Sequence, residues 1–409
     1  MGDRAVVASR ALALLSARKK NAILEGMANE LETRRAAIKE ANALDMEAGR
    51  AAGLTGALLD RLLLSDARID SMIKGIRAVV SLKDPVGQKI SKWIRPNGLE
   101  ILKVRVPIGV IAIIYEARPN VTADAAVLCI KTSNAVILRG GKEARHSNQA
   151  VAEALQAGGA TKGLPPHTVQ LVGTTDRDAI RELVQLEGRV DLAIPRGGEG
   201  LIRAVTEHAR VPVIKHYKGV CHVYVHEAAD QAMALDIIEN AKCQRPGVCN
   251  AIEKVLVDAA IAPKFLPALA RRMAEAKVEL RGDDASRAVV PAMKTAVEED
   301  WYAEYLDLIL AVKVVPDLQA GIDHINHYSS HHSDAIITAD ESVGKEFCQQ
   351  VDSATVYVNA STRFTDGGEF GLGAEIGIST DKLHARGPMG LEELTTYKYI
   401  IHGIGQIRT

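Results

Sequence analysis

Among the five cysteines of this 409-residue chain, Cys249 stands in the context best suited to covalent chemistry. The segment AKCQRPGVCNA (241–251) places it after Pro246-Gly247, a pair that resists helix, and just ahead of a run that reads as a strand. A thiol presented on such a loop, near backbone N–H groups, suits a nucleophile. An arbitrary cysteine more often serves as a small buried apolar residue, and Cys129, Cys221 and Cys348 sit in apolar or helical contexts that fit that use. The odd cysteine count and the lack of any CxxC spacing argue for reduced thiols in a cytoplasmic protein rather than a disulfide framework.

Two further segments suit an anion. DLAIPRGGEGLIRAV (191–205) reads as strand, glycine-rich turn and helix, so Gly197, Gly198 and Gly200 would let backbone N–H groups face a phosphate at a helix N-terminus. The spacing is not GxGxxG, and a plain tight turn reads the same way. NAVILRGGKEA (134–144) repeats the arrangement with Arg139 and Lys142 beside the glycines, a pattern that suits an anionic cofactor or simply a solvated surface. HINHYSSHH (324–332) gathers four histidines without the ligand spacing of a zinc site, and no metal is expected there. GGEFGLGAEIGIST (367–380) reads as a substrate-facing loop or a long linker.

The elements that carry these residues follow a consistent order. Residues 8–50 form an Ala/Leu-rich amphipathic pattern that predicts a long helix, and a second helical stretch runs from about Thr55 to Val80. KISKWIR and LEILKVRV around Pro96-Asn97-Gly98 predict a β-hairpin over 87–106, with Asn-Gly supplying the positive φ angles of a tight turn. From Val104 onward, short β-branched runs alternate with helical stretches in two consecutive series that meet near residues 215–228, which predicts parallel sheets covered on both faces. TYKYIIHG near the C-terminus reads as one more strand. The net charge of -1 argues against a nucleic-acid partner, and no apolar run approaches the ~20 residues that span a bilayer, so a membrane is not expected.

PIGVIAIIYEARPNVTADAAVLCIKTSNAVILRGGKEARHSN, DLAIPRGGEGLIRAV, KCQRPGVCNAIEKVLV, EYLDLILAVKVV and EFGLGAEIGIST occur in this order, and together they resemble the gamma-glutamyl phosphate reductase family of the aldehyde dehydrogenase superfamily. The resemblance covers nearly the whole chain. It implies an α/β, aldehyde-dehydrogenase-like fold: a Rossmann-type NADPH-binding domain over 1–225, a catalytic domain over 226–365, and a return to the cofactor domain with a C-terminal oligomerisation strand over 366–409. The hairpin would join that strand in a homo-oligomer. The implied reaction is reduction of L-glutamate 5-phosphate to the 5-semialdehyde and phosphate with NADPH, a step of proline synthesis, and an association with the glutamate 5-kinase that makes the substrate is an open expectation.

The resemblance also assigns roles. Cys249 would attack the acyl phosphate, with its own N–H and the Asn120 side chain as oxyanion donors. Glu304 would contact the nicotinamide ribose, Arg139 and Lys142 the 2′-phosphate of NADP, and Gly197 and Gly198 the cofactor's phosphates. Hydrolytic aldehyde dehydrogenases carry a basic glutamate in an LELGGK-like segment, where this chain reads VIKHYKGVCHV. Lys215 and His216 stand near that place and, with Lys218 and Arg245, are expected to hold phosphate or the substrate carboxylate, unless the first three form only a basic surface loop.

Overall fold

The computed structural model of the protein describes residues 1–54 and 56–408. The chain forms two compact units, the first comprising Met1–Lys215, Gly371–Gly377 and Met389–Thr409 and the second His216–Phe370 and Ile378–Pro388.

In the first unit the N-terminal helical pattern is divided where polar groups compete for the backbone. The expected continuous helix over 8–50 is three helices, Gly2–Leu12, Ala17–Thr33 and Arg35–Ala51. Ser16 restarts the chain by accepting the Lys19 N–H at 3.2 Å, and Arg34 leaves the helical region at φ -95° and ψ 14°. The second stretch is likewise two helices, Gly56–Leu62 and Asp66–Ser81, the latter capped by Ser65; its expected start at Thr55 lies outside the described residues. Periodicity sees the shared apolar face but not these interruptions, because a hydroxyl cap leaves the face intact.

Four parallel strands form the sheet of this unit in the order Val169–Leu171, Ala135–Gly140, Val110–Tyr115 and Leu192–Arg196. Val110–Tyr115 is buried along its whole length, as a strand covered on both faces must be. The chain proceeds outward from Val110–Tyr115 through two strands, then returns to the opposite flank with Leu192–Arg196. Such a reversal opens a crevice at the carboxyl ends of the two strands it separates, here just beyond Tyr115 and Arg196.

A separate antiparallel sheet joins Lys89–Ile94, Glu100–Pro107 and Thr395–His402. Its turn differs from the expected tight Asn-Gly form. The Gly98 N–H donates to the Arg95 carbonyl at 2.9 Å, the Arg95 N–H donates to Leu99 at 2.8 Å, and Gly98, but not Asn97, has a positive φ of 83°. Pro96 is the reason: its ring holds φ near -65°, so the turn bends through Pro96 and Asn97 and leaves the left-handed position to the glycine. Trp93, Ile94, Tyr397, Tyr399 and Ile401 are exposed on this sheet, with the Trp93 and Tyr399 rings edge-to-face at 6.1 Å.

The second unit is built on seven parallel strands in the order Lys294–Thr295, Glu279–Gly282, Ile309–Val315, Ile252–Asp258, Cys221–Val225, Ser333–Ile337 and Thr355–Val358. Its core joins Val223, Ile252, Val255, Val257, Leu310 and Val312 of the sheet to Ile238, Phe265, Leu266 and Leu269 of the helices Gln231–Cys243 and Ala262–Glu275. Helices end where strands begin. Gln231–Cys243 therefore delivers the chain to a loop at the amino edge of the sheet, and residues 303–308, 329–332 and 351–354 reach the same edge after helices of their own.

Candidate active site

Cys249 sits in the turn between the helix Gln231–Cys243 and the strand Ile252–Asp258 and is half-buried. Its backbone is held from two sides. The buried thiol of Cys221, at the start of the neighbouring strand, donates to the Cys249 carbonyl at 3.2 Å. Gly219 packs so closely on the same peptide that a Cβ there would fall on the carbonyl oxygen, 2.5 Å from its carbon and 2.6 Å from Cα. The Gly219 N–H in turn donates to Glu304 Oε1 at 2.8 Å, so Glu304 braces the segment that braces the cysteine.

Asn250 ties the same turn to the loop after Thr355–Val358. Its amide donates to the Thr365 carbonyl at 2.9 Å, and Thr362 Oγ1 donates to the Asn250 carbonyl at 2.7 Å. Arg363 completes the staple, donating through Nε to Gln244 Oε1 at 2.8 Å and through Nη1 to Asn250 Oδ1. Burial lowers the proton affinity of Arg363 and the charge of Arg245 lowers it further, whereas Cys249, Asp366 and Glu369 act in the opposite sense. Two guanidinium groups thus stand within electrostatic reach of one another, and the thiol lies within reach of Arg363.

Behind the turn lies a fully buried ion pair, Lys242 Nζ to Glu253 at 2.7 Å. Lys242 also donates to the Ile252 carbonyl at 3.1 Å, Glu253 accepts the Leu306 N–H at 3.3 Å, and Lys254 donates to the Ala303 carbonyl at 2.7 Å. Burial pushes Glu253 up to about 7 and Lys254 down to about 7. Opposed charges and backbone carbonyls satisfy what would otherwise be costly desolvated ions, and they fix residues 303–306, which carry Glu304. The sequence carried a readable signal for this network: a Glu-Lys pair interrupting the apolar run AIEKVLV. Nothing comparable marked Arg363, Asn250 or Gly219, whose roles depend on partners far along the chain.

Other expected residues take distinct places. His216 Nδ1 meets the Ile378 carbonyl at 2.8 Å, and its ring lies edge-on to His332 at 5.7 Å. Lys215 closes the long N-terminal segment of the first unit, and Lys218 Nζ reaches the Tyr302 carbonyl at 3.4 Å. Of the histidine-rich stretch, His324 is buried against Trp301 and Tyr328, with ring centroids at 5.4 and 4.4 Å. Burial lowers its pKa to about 2. Cys221 is held far above the usual thiol range by burial, as is Cys129.

In the first unit, Asn120 opens the helix Asn120–Lys131 and donates to Asp124 at 2.9 Å, while burial raises Asp124 to about 6. Gly197 and Gly198 lead into the helix Glu199–His208 at the crevice beyond Arg196. The Gly198 N–H donates to the Glu116 carboxylate at 2.9 Å, and a Cβ on Gly197 would stand 2.9 Å from the Glu116 carboxyl carbon and 2.8 Å from Leu201. An anionic oxygen therefore already occupies this helix N-terminus, which is the chemistry that the phosphate of a nicotinamide cofactor would present. Arg139 is buried and donates to the Gly140, Thr175 and Asp176 carbonyls, whereas Lys142 is exposed one turn away.

The aldehyde dehydrogenase family model matches residues 2–311. A gamma-glutamyl phosphate reductase of Moorella thermoacetica is 56% identical over 407 residues, covering 100% of this chain and 97% of that protein. The crystal structure of a gamma-glutamyl phosphate reductase from Thermotoga maritima superimposes with a TM-score of 0.98 at 47% identity, over 100% of this chain and 99% of the other. An acetylating aldehyde dehydrogenase from Geobacillus thermoglucosidasius, 18% identical, shares the fold with a TM-score of 0.68 over 100% of this chain and 96% of the other. The chain belongs to the aldehyde dehydrogenase family and, within it, to the gamma-glutamyl phosphate reductases.

Proposed function

We propose that the protein reduces L-glutamate 5-phosphate to L-glutamate 5-semialdehyde and phosphate through a thioester on Cys249, with NADPH as reductant, in the synthesis of proline. The observation that carries this reading is the immobilised Cys249 turn in a chain matching named gamma-glutamyl phosphate reductases end to end.

The Cys249 thiolate attacks the acyl carbon, and the carbonyl electrons move onto oxygen. The Cys249 N–H is suited to that oxyanion, and Asn120 is the side-chain donor we propose with it. Collapse breaks the bond to phosphate, which leaves with the electron pair and yields the thioester. The reduction of this thioester would use hydride that a nicotinamide cofactor supplies when bound. The resulting thiohemiacetal collapses, expelling the Cys249 thiolate and releasing the aldehyde. Water must be denied the thioester, and the segment 213–223 contains no carboxylate to serve as its base. Lys215, His216 and Arg245 instead offer positive charge or donors for the departing phosphate or the substrate carboxylate.

For the cofactor, Gly197 and Gly198 would take a phosphate in place of the Glu116 carboxylate, with Glu304 turned to the ribose. Lys142, exposed beside the end of the strand, is the charge we propose for a 2′-phosphate, and Arg139 shapes the strand end beside it. The exposed aromatic sheet supports assembly into a homo-oligomer. No described helix is long and apolar enough to cross a membrane.

The reaction is best tested in reverse. Glutamate 5-semialdehyde and NADP should yield NADPH only when inorganic phosphate is present, and Cys249→Ser should abolish it. NADPH formed without phosphate would mean a hydrolytic dehydrogenase, and an active Cys249→Ser enzyme would remove the thioester.

A further inference from the structure

A glutamyl substrate carries an α-carboxylate and an α-ammonium group besides the carbon that reacts. Removing either from water requires an ionic partner. The loop bound to Asn250 holds both signs of charge in one short run, RFTDGGE, with Arg363 three residues before Asp366 and six before Glu369. Arg363 is anchored at two points, Gln244 and Asn250, on either side of Cys249 in sequence. Two anchors fix the plane of the guanidinium, so little freedom remains to be lost when a carboxylate docks against it.

The reach required is short. An extended five-carbon chain separates the reacting carbonyl carbon from the α-carboxylate carbon by about 5 Å, given bonds near 1.5 Å. Asn250, directly after the nucleophile, is itself in contact with Arg363. Charge points the same way: the nearby Arg245 disfavours a second cation at Arg363, and an anion shared between the two guanidinium groups would relieve that repulsion. Asp366 and Glu369 are exposed, and Asp366 Oδ1 is oriented by the Gly368 N–H at 2.8 Å.

We infer that Arg363, with Arg245 beside it, grips the α-carboxylate of the substrate and that Asp366 and Glu369 receive its α-ammonium group. The inference rests on the reaction proposed above, in which an amino-acid acyl group is carried by Cys249. It makes the 361–369 loop the part of the protein that separates an amino-acid aldehyde from a plain one.

The test compares three aldehydes in the phosphate-dependent reverse reaction: glutamate 5-semialdehyde, 5-oxopentanoate, which lacks the amino group, and pentanal, which lacks both. Arg363→Ala should lower kcat/KM for the first two by about 100-fold more than for pentanal, chiefly through KM, any loss shared by all three reporting the turn that Arg363 staples. Arg363→Lys should recover part of the loss. Asp366→Asn with Glu369→Gln should weaken glutamate 5-semialdehyde while sparing 5-oxopentanoate. Equal losses on all three aldehydes, with slowed alkylation of Cys249, would reduce Arg363 to a brace for the turn. A raised KM for inorganic phosphate with every aldehyde would make the guanidinium pair a phosphate anchor. Either result overturns the inference while leaving the reductase reading intact. A wild-type enzyme that oxidises none of the three with phosphate would end both.

Discussion

Replacing Gly219 by alanine tests how Cys249 is held. A Cβ at this position lies 2.5 Å from the Cys249 carbonyl carbon and 2.6 Å from Cα. Nonbonded carbons settle at about 3.5 Å or more, so the two segments must separate by about 1 Å. Neither side yields easily, because the Cys249 peptide accepts from Cys221 and the Gly219 N–H is held by Glu304. Overpacking of this kind costs about 1–3 kcal/mol of stability, and a displacement of about 1 Å at a reacting atom costs about 100-fold in rate. Gly219→Ala should therefore lower kcat of the phosphate-dependent reaction by about 100-fold and slow alkylation of Cys249 by iodoacetamide, while thermal unfolding stays cooperative. A variant with kcat and alkylation rate within about twofold of wild type would refute the claim that this contact sets the position of Cys249.

His324 and the exposed sheet give two further expectations. Burial holds His324 neutral in the folded protein down to a pKa of about 2, whereas the unfolded chain takes up its proton near 6.5. Between those values the unfolded state binds more protons, so stability falls as pH falls below 6.5, by about 2 kcal/mol at pH 5 from this residue. His324→Phe should flatten that part of the pH–stability curve in denaturant titrations, and an unchanged slope would dismiss the residue as its cause. Trp93→Asp with Tyr399→Asp places charge on the exposed aromatic sheet. The variant should show a smaller mass by light scattering while remaining folded, and an unchanged mass would remove this sheet from the assembly surface.

Much of this molecule was legible in local pattern. The β-branched runs GVIAIIYE and NAVILRG are strands because buried parallel strands need no polar alternation, the half-buried edge strand in ATVYVN shares their β-branched composition, and the Pro-Gly turn before Cys249 pointed to the nucleophile we propose. The strand Glu279–Gly282 escaped notice because Glu279 and Arg281 interrupt its apolar character; they pair with each other at 2.9 Å, and Arg281 reaches Asp300 at 2.7 Å. The joints at Ser16, Arg34 and Ser65 were hidden because caps act through backbone geometry, which hydrophobic periodicity does not record. The site was legible only as far as Cys249. Gly219 and Arg363 act across 30 and 114 residues of sequence, and such closures are made by the fold as a whole.

The amino-edge position of the Cys249 turn has a consequence for how this enzyme can change. Helices finish at that edge, so their dipoles turn negative ends toward it, and an anionic group there depends on side chains and single loop N–H groups rather than on a helix N-terminus. At the crevice of the first unit the reverse holds: the Gly198 N–H at the start of a helix offers its grip through the main chain. A point mutation can erase or invert a side-chain contact, but it leaves a backbone N–H in place unless it introduces proline. Side-chain contacts at the amino edge are therefore the mutable ones, and the backbone donor at the crevice the inherited one.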